Sequence, residues 1–228
     1  MKKVAYFAVL VALALFVASP SFAGAPSAKF AAQVSSIALV SPATAGNTGY
    51  SKVLSTTIKT PNKKDLLISA SFETGLYTKT VVKSAMGVLD TSTAVAGITI
   101  KVLVDGNEVK PGEVIYDKRA QTLSAKLGGI LETCSDVNLD GTIDIATECT
   151  FTPEEIGLIL DTMGAHHFNF VAANLEPGVH SVVVFAKIDT STAAQAGLAD
   201  AKALVGKGSL TVEEVRATNA PDGIEFLE

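Results

Sequence analysis

The chain has no tryptophan, three histidines, two cysteines and few charges, with only 18% of its 228 residues being Asp, Glu, Lys or Arg. Each scarcity excludes something. Two cysteines without a neighbouring histidine fall short of the four ligands of a structural zinc site. No run of Lys and Arg occurs and the formal net charge is -5, so the clustered cations that neutralise phosphates are missing and nucleic acid is not an expected partner. An aromatic content of 6%, none of it tryptophan, leaves few of the flat faces on which sugars stack. Intrinsic disorder is excluded by the 48% of residues that are hydrophobic, which at this length supply a core for one or two domains.

Apolar residues concentrate first at the N-terminus. Lys2 and Lys3 precede an uncharged apolar stretch over 4–17, and Ser19, Pro20, Ser21, Phe22 and Ala23 then supply a helix breaker and small residues. That is the pattern of a secretory signal peptide over 1–23, cut after Ala23. The stretch is short for a hydrocarbon core of about 30 Å, and no cysteine stands at the exit to accept a lipid. No second long apolar segment follows, so the expectation is a secreted, periplasmic or extracellular chain with no membrane span after signal cleavage. Without Lys2 and Lys3, 16 of the 18 basic residues face 23 acidic ones, a charge of -7 on a mature chain of about 205 residues.

Residues 24–48, rich in Ala, Ser, Pro and Gly, predict a flexible lead-in whose apolar run over 34–40 is either a first strand or a docking segment. A domain over 49–217 and a tail over 218–228 follow. In the domain, Ile68, Ala70 and Phe72 share one face of a period-2 run, and the segment 98–104 alternates for nearly its whole length. Asp105, Gly106 and Asn107 predict a tight hairpin, and Pro177 with Gly178 predicts a second one joining 167–172 to 179–188. A closing strand is expected over 210–215. Strands at this spacing predict a mainly β, antiparallel, jelly-roll-like β-sandwich. One short helix is expected from Thr152, where Thr152 caps, Pro153 opens the first turn, Glu155 completes a capping box and Gly164 ends it. The Ala-rich segment 192–205, which Gly197 interrupts, is either a second, weaker helix or a long loop turn.

The most specific chemistry lies in the segment 134–149, a loop insertion bracketed by Cys134 and Cys149. Asp136, Asn138 and Asp140 place oxygen donors at alternating positions, and Gly141 provides the sharp turn that lets such donors converge on a hard cation. Thr142 would add its backbone carbonyl and Asp144 a ninth-position ligand. Over these dozen residues the loop resembles the calcium loops of EF-hand and dockerin proteins. That resemblance implies calcium as the cofactor. The closing position carries Thr147 instead of an acid, so Glu148, one residue later, is the candidate last ligand. In an oxidising compartment the two cysteines should form a Cys134–Cys149 disulfide.

Other constellations are weak. His166 and His167 are adjacent and face apart in a strand, and a hairpin at Pro177 would bring His180 near Ala173. His180 and Ser181 lack the Gly-x-Ser-x-Gly elbow of a serine hydrolase. Glu154 and Glu155 are explained by capping, and Asp65, Glu73, Asp117 and Lys118 by a solvated rim. No catalytic residue is therefore expected. The expected function is a secreted, non-catalytic structural or interaction module, stabilised by calcium and partnered by a protein or by its own copies. A calcium-assisted, lectin-like jelly roll with a glycan partner is the alternative, and a hydrolase a distant one.

Overall fold

Strict alternation of buried and exposed residues runs through the longest strands, and two such faces must meet to leave water. The computed structural model describes residues 29–35, 39, 40, 46 and 48–216. The signal segment 1–23, most of the lead-in and the tail 218–228 lie outside the described residues. In chain order the strands are β1 (Phe30–Ser35), β2 (Leu39–Val40), β3 (Ser51–Thr60), β4 (Lys64–Ser84), β5 (Leu89–Val104), β6 (Asn107–Glu108) and β7 (Val114–Lys126). They continue with β8 (Ile130–Cys134), the four-residue helix α1 (Ile145–Glu148), β9 (Cys149–Thr152), β10 (Glu154–Leu175), β11 (Gly178–Ala194) and β12 (Leu198–Val215).

One antiparallel sheet has the order β1-β12-β4-β10, with β2 also on β12; the facing sheet has β3-β11-β5, with β6 and β7 both on β5. β8 and β9 form a separate two-stranded ribbon. Apart from the β5–β7 hairpin, each connection between the eight principal strands crosses from one sheet to the other. That is a jelly roll. Phe30–Ser35, within the expected lead-in, pairs with β12 from Glu213 to Gly208.

The core follows the pleat. Ile68 and Ala70 of β4, Ile98 to Val104 at every second position of β5, Val182 to Ile188 at every second position of β11, and Phe170 of β10 are all buried. Beyond Phe72 the inner face mixes Leu76 and Val82 with small polar residues, Thr74, Thr78, Thr80, Ser84 and Ser92, all buried. Two long side chains of β7 fill this half. Gln121 accepts from the Thr78 hydroxyl at 2.8 Å and donates through Nε2 to Thr80 Oγ1 at 2.6 Å and to the Leu158 carbonyl at 2.9 Å. Arg119 donates to the carbonyls of Leu76 and Leu160 at 3.0 and 3.1 Å and to the Thr162 hydroxyl. A buried polar group needs such partners, so these bonds tie β7 to β4 and β10 where apolar packing is thin.

Three expectations fail. The segment 152–163 is not a helix: it ends β9 and begins β10, with Ile156 opposite Val82 and Leu160 opposite Thr78. Its capping signals act only locally, whereas Gly157 weakens a helix, the β-branched Ile156 and Ile159 favour a strand, and β4 supplies the ladder. Glu155 pairs with Lys83 at 2.9 Å instead of closing a capping box. The segment 192–205 likewise ends β11 and begins β12. The turn at Pro177 and Gly178 is a corner between sheets, because β10 pairs with β4 while β11 pairs with β3 and β5. The hairpin at Asp105 and Gly106 does form, with φ of 51° and 84° as a type I′ turn requires.

Aspartates pin the corners. The buried Asp90 carboxylate accepts from the N–H groups of Lys83 at 2.6 Å, Thr91 at 2.9 Å, Ala196 at 3.0 Å and Gly197 at 3.1 Å, joining β4, β5 and the β11–β12 turn. The Lys83 bond, with the other three, holds its pKa below the usual carboxylate range. Asp65 accepts from Asn174 N–H at 2.8 Å at the β10–β11 corner. Asp105 accepts from Ser181 N–H at 2.8 Å and faces His180 Nδ1 at 2.7 Å. Burial pushes Asp105 up, but the His180 and Ser181 bonds outweigh it and hold it low.

Because Asp90 and Asp105 titrate lower folded than unfolded, the stability they contribute is complete above about pH 4 and lost as pH falls through their folded values. Thermal melts by circular dichroism should show Tm falling below about pH 4, and Asp90→Asn should lower Tm at pH 7 and flatten the acid limb. Phe170→Ala, at the centre of the core, should cost about 3–5 kcal/mol in denaturant unfolding.

Candidate functional site

The disulfide-closed ribbon leaves the sandwich between β7 and β10. Cys134 and Cys149 are opposite each other in the β8–β9 pairing and are bridged, closing the loop between them. Thr133 and Thr150 hydroxyls meet one pair further out at 2.8 Å.

Within the loop the polar side chains hold their own backbone. Asp136 accepts from the N–H groups of Asp140 at 3.2 Å and Gly141 at 2.8 Å; Asn138 Oδ1 accepts from Asp140 N–H at 3.0 Å. Asp140 accepts from both the N–H and the hydroxyl of Thr142, at 2.8 and 2.6 Å, the hydroxyl contributing most to its lowered pKa. Positive φ at Leu139 (59°) and Gly141 (82°) makes the turns. Asp144 caps α1 by accepting from Ala146 N–H at 2.9 Å. Glu148 turns inward and is buried, accepting from the N–H groups of Asp144 at 2.9 Å, Val137 at 3.0 Å and Asn138 at 3.3 Å. The Asp144 bond leads in holding its pKa low. Glu148 is thus the staple between the two arms of the loop.

The expected metal donors lie along one loop, and all are oxygens, the chemistry a hard cation needs. An ionised carboxylate has about four lone-pair sites, so the backbone bonds on Asp136, Asp140 and Asp144 do not exhaust them. Among the described residues, however, no three His, Cys, Asp or Glu side chains are gathered as a metal ion would require.

The same end of the molecule is conspicuously apolar. In the ribbon and loop, Ile130, Leu131, Val137, Leu139, Ile143 and Ile145 are exposed, Leu139 at 85%. Beside them are Met86 and Val88 of the β4–β5 turn, joined to the ribbon by Met86 N–H to the Gly128 carbonyl at 2.8 Å. Beyond the ribbon, β10 carries exposed Ile156, Leu158 and Leu160 on its inner face and Ile159 and Met163 on its outer face. Exposed apolar groups scattered singly need no explanation, but a gathered set marks a contact surface. Sequence reasoning missed it because a helix over 152–163 would have turned these side chains onto the core.

The histidines lie apart. His166 faces Asp117 at 3.3 Å, with the Tyr116 hydroxyl donating to its carbonyl; burial raises the Tyr116 phenol to about 12. His180 is opposite Ile58, away from Ala173, with Nε2 2.8 Å from the Glu176 carbonyl. His167 stands in a cross-strand ladder that sequence alone did not show. Ser71 Oγ is 2.8 Å from His167 Nδ1, His167 Nε2 is 2.9 Å from Asn169 Oδ1, and the Ser69 hydroxyl donates to the same Asn169 oxygen at 2.7 Å. Ser71 sits in a strand paired on both sides, with His167 and Ser209, so its neighbouring N–H groups serve the ladder and offer no oxyanion hole. Ser71, Ser209, Glu73 and Lys207 line a groove of about 610 Å³ where β12 bulges between Val205 and Gly208.

Fold and site together define a disulfide-stapled jelly-roll module with an apolar end. No protein-family model matches the chain, and no curated protein matches it. Among solved structures it is similar to that of infectious bursal disease virus, Gx strain, at 16% identity and a TM-score of 0.33, over 87% of this chain and 34% of that one. It is also similar to a family 35 carbohydrate-binding module from Clostridium thermocellum, at 13% identity and a TM-score of 0.21, over 78% of this chain and 90% of that one. The chain spans about a third of the length of the viral protein.

Replacing both cysteines by serine removes a loop closure worth about 3 kcal/mol in the chain-entropy model. Limited proteolysis should then cut within 135–148 while far-UV circular dichroism of the sandwich is unchanged.

Proposed function

We propose that the chain is an exported, non-catalytic interaction module whose contact surface is the apolar end. The observation that carries this reading is the exposure of Val137, Leu139, Ile143 and Ile145 on the stapled loop, followed by a second exposed apolar stretch, Ile156 to Met163, on the edge strand. A stapled loop presents such side chains at low entropic cost, because the disulfide and Glu148 order it beforehand. The bridged cysteines support an oxidising, extracellular location.

Calcium belongs to this proposal as a stabiliser of the loop. Asp136, Asn138, Asp140, the Thr142 carbonyl and Asp144 are the ligands the sequence spacing supports, and a bound cation would supply charge neutralisation for three neighbouring aspartates. Glu148, the expected last ligand, has both carboxylate oxygens on backbone N–H groups of the loop, so the proposed set ends at Asp144. Calcium should raise Tm and a chelator reverse it, and Asp136→Ala should abolish the gain; a melt indifferent to both removes the metal.

Glycan binding is the second reading, favoured by the hydroxyls and the Glu73 and Lys207 charges of the groove. A glycan array separates the two. Silence with and without calcium supports the interaction module, whereas calcium-dependent hits lost in Ser209→Ala would move the function to the groove.

A further inference from the structure

β10 is the outermost strand of its sheet among the described residues. On its free side it meets only Lys110, whose N–H donates to the Val171 carbonyl at 3.2 Å while Val171 N–H donates back at 2.9 Å. That bridge settles the parity: odd-numbered residues of β10 turn their backbone groups outward. Over 157–165 the odd residues therefore present a row of N–H and C=O groups with no strand beside them among the described residues. Arg119 and Gln121 reach the carbonyls of Leu160 and Leu158, which are even-numbered, so they leave that row open. A long edge carrying exposed Ile156, Leu158, Ile159, Leu160 and Met163 is a template for another strand.

We infer that a second copy of this chain closes the edge, β10 lying antiparallel to β10 with Leu160 opposite Leu160 on the two-fold axis. This rests on the interaction-module reading and names its partner. The exposed length of the strand suits its own reverse: residues 154–167 are all exposed and Leu160 lies at their centre, with Glu154 and Glu155 at one end, His166 and His167 at the other and the apolar residues between. In this register Glu154 faces His166, Leu158 faces Thr162, Ile156 faces Gly164, and Ile159 faces Asp161, each twice by symmetry. Centring the pair on Asp161 instead would oppose two aspartates. Centring it on Ile159 would set Glu154 against Gly164 and lose the histidine. The even-numbered apolar side chains of the two copies then run as one row along the inner faces of a continuous sheet, removed from water on both sides.

The register makes the test sharp. Leu160 falls at a position without mutual backbone hydrogen bonds, where facing Cα atoms are about 4.5 Å apart, within reach of a disulfide. Both native cysteines are bridged, so an introduced thiol has no partner in its own chain. The full chain should sediment as a dimer, and Leu160→Cys should oxidise to a covalent dimer on a non-reducing gel while Ile159→Cys should not. Ile159→Pro removes an outward N–H that the chain's own sheet does not use, so it should give a monomer with unchanged circular dichroism. A monomer at all micromolar concentrations, a dimer cross-linked by Ile159→Cys and not by Leu160→Cys, or a dimer surviving Ile159→Pro would each overturn the inference. A monomer silent on the glycan array leaves the module reading intact, whereas calcium-dependent glycan hits remove that reading whether or not the chain dimerises.

Discussion

The fold depends on bringing two alternating apolar faces together through connections that nearly all cross from one sheet to the other. Burial of Ile68, Ile100, Val184 and Phe170 supplies the drive, but each crossing also leaves backbone N–H groups at a corner where no strand pairs with them. Aspartates resolve that conflict. Asp90 alone accepts four N–H groups from three parts of the chain, and Asp65 and Asp105 hold the corners at the other end. The hydrogen bonds offset the cost of burying the carboxylates, because their partners are donors already lacking acceptors.

The two ends of the sandwich consequently differ. Where Phe170 and the β-branched rows meet, the core is dry and apolar. Towards the β8–β9 ribbon it gives way to threonines, serines and the Arg119 and Gln121 side chains, whose bonds to β10 carbonyls take the place of packing. β10 is thus held to the fold along its inner side while much of its apolar length stays exposed. The stapled loop and the strand that follows it both carry apolar side chains that the sandwich leaves uncovered, and these underlie the interaction reading and the edge pairing.

Much of the strand content was legible because a period of two is a local property. Ile98 to Val104 alternates in sequence and is buried at every second residue in space. The disulfide was legible from two cysteines that bracket one loop, given an expected oxidising compartment. The helix expected at 152–163 illustrates the limit: Thr152, Pro153 and Glu155 are real capping signals, but they act within one turn. The ladder with β4 extends over twenty residues and lies some seventy positions away in sequence. The turn at Pro177 likewise has hairpin chemistry and makes a corner, since turn residues specify a local bend and not which strands it joins.

By itself, the sequence determined the class of fold, the buried faces of its long strands, the disulfide, and the spacing of oxygen donors in the loop. Those follow from interactions between near neighbours or from counting. Only the tertiary structure decided that Glu148 faces inward, that Asp90 joins three separate segments, that Ser71, His167 and Asn169 form a ladder, and that β10 lies at an edge. Each of these depends on pairings between residues far apart in the chain, which no local pattern encodes.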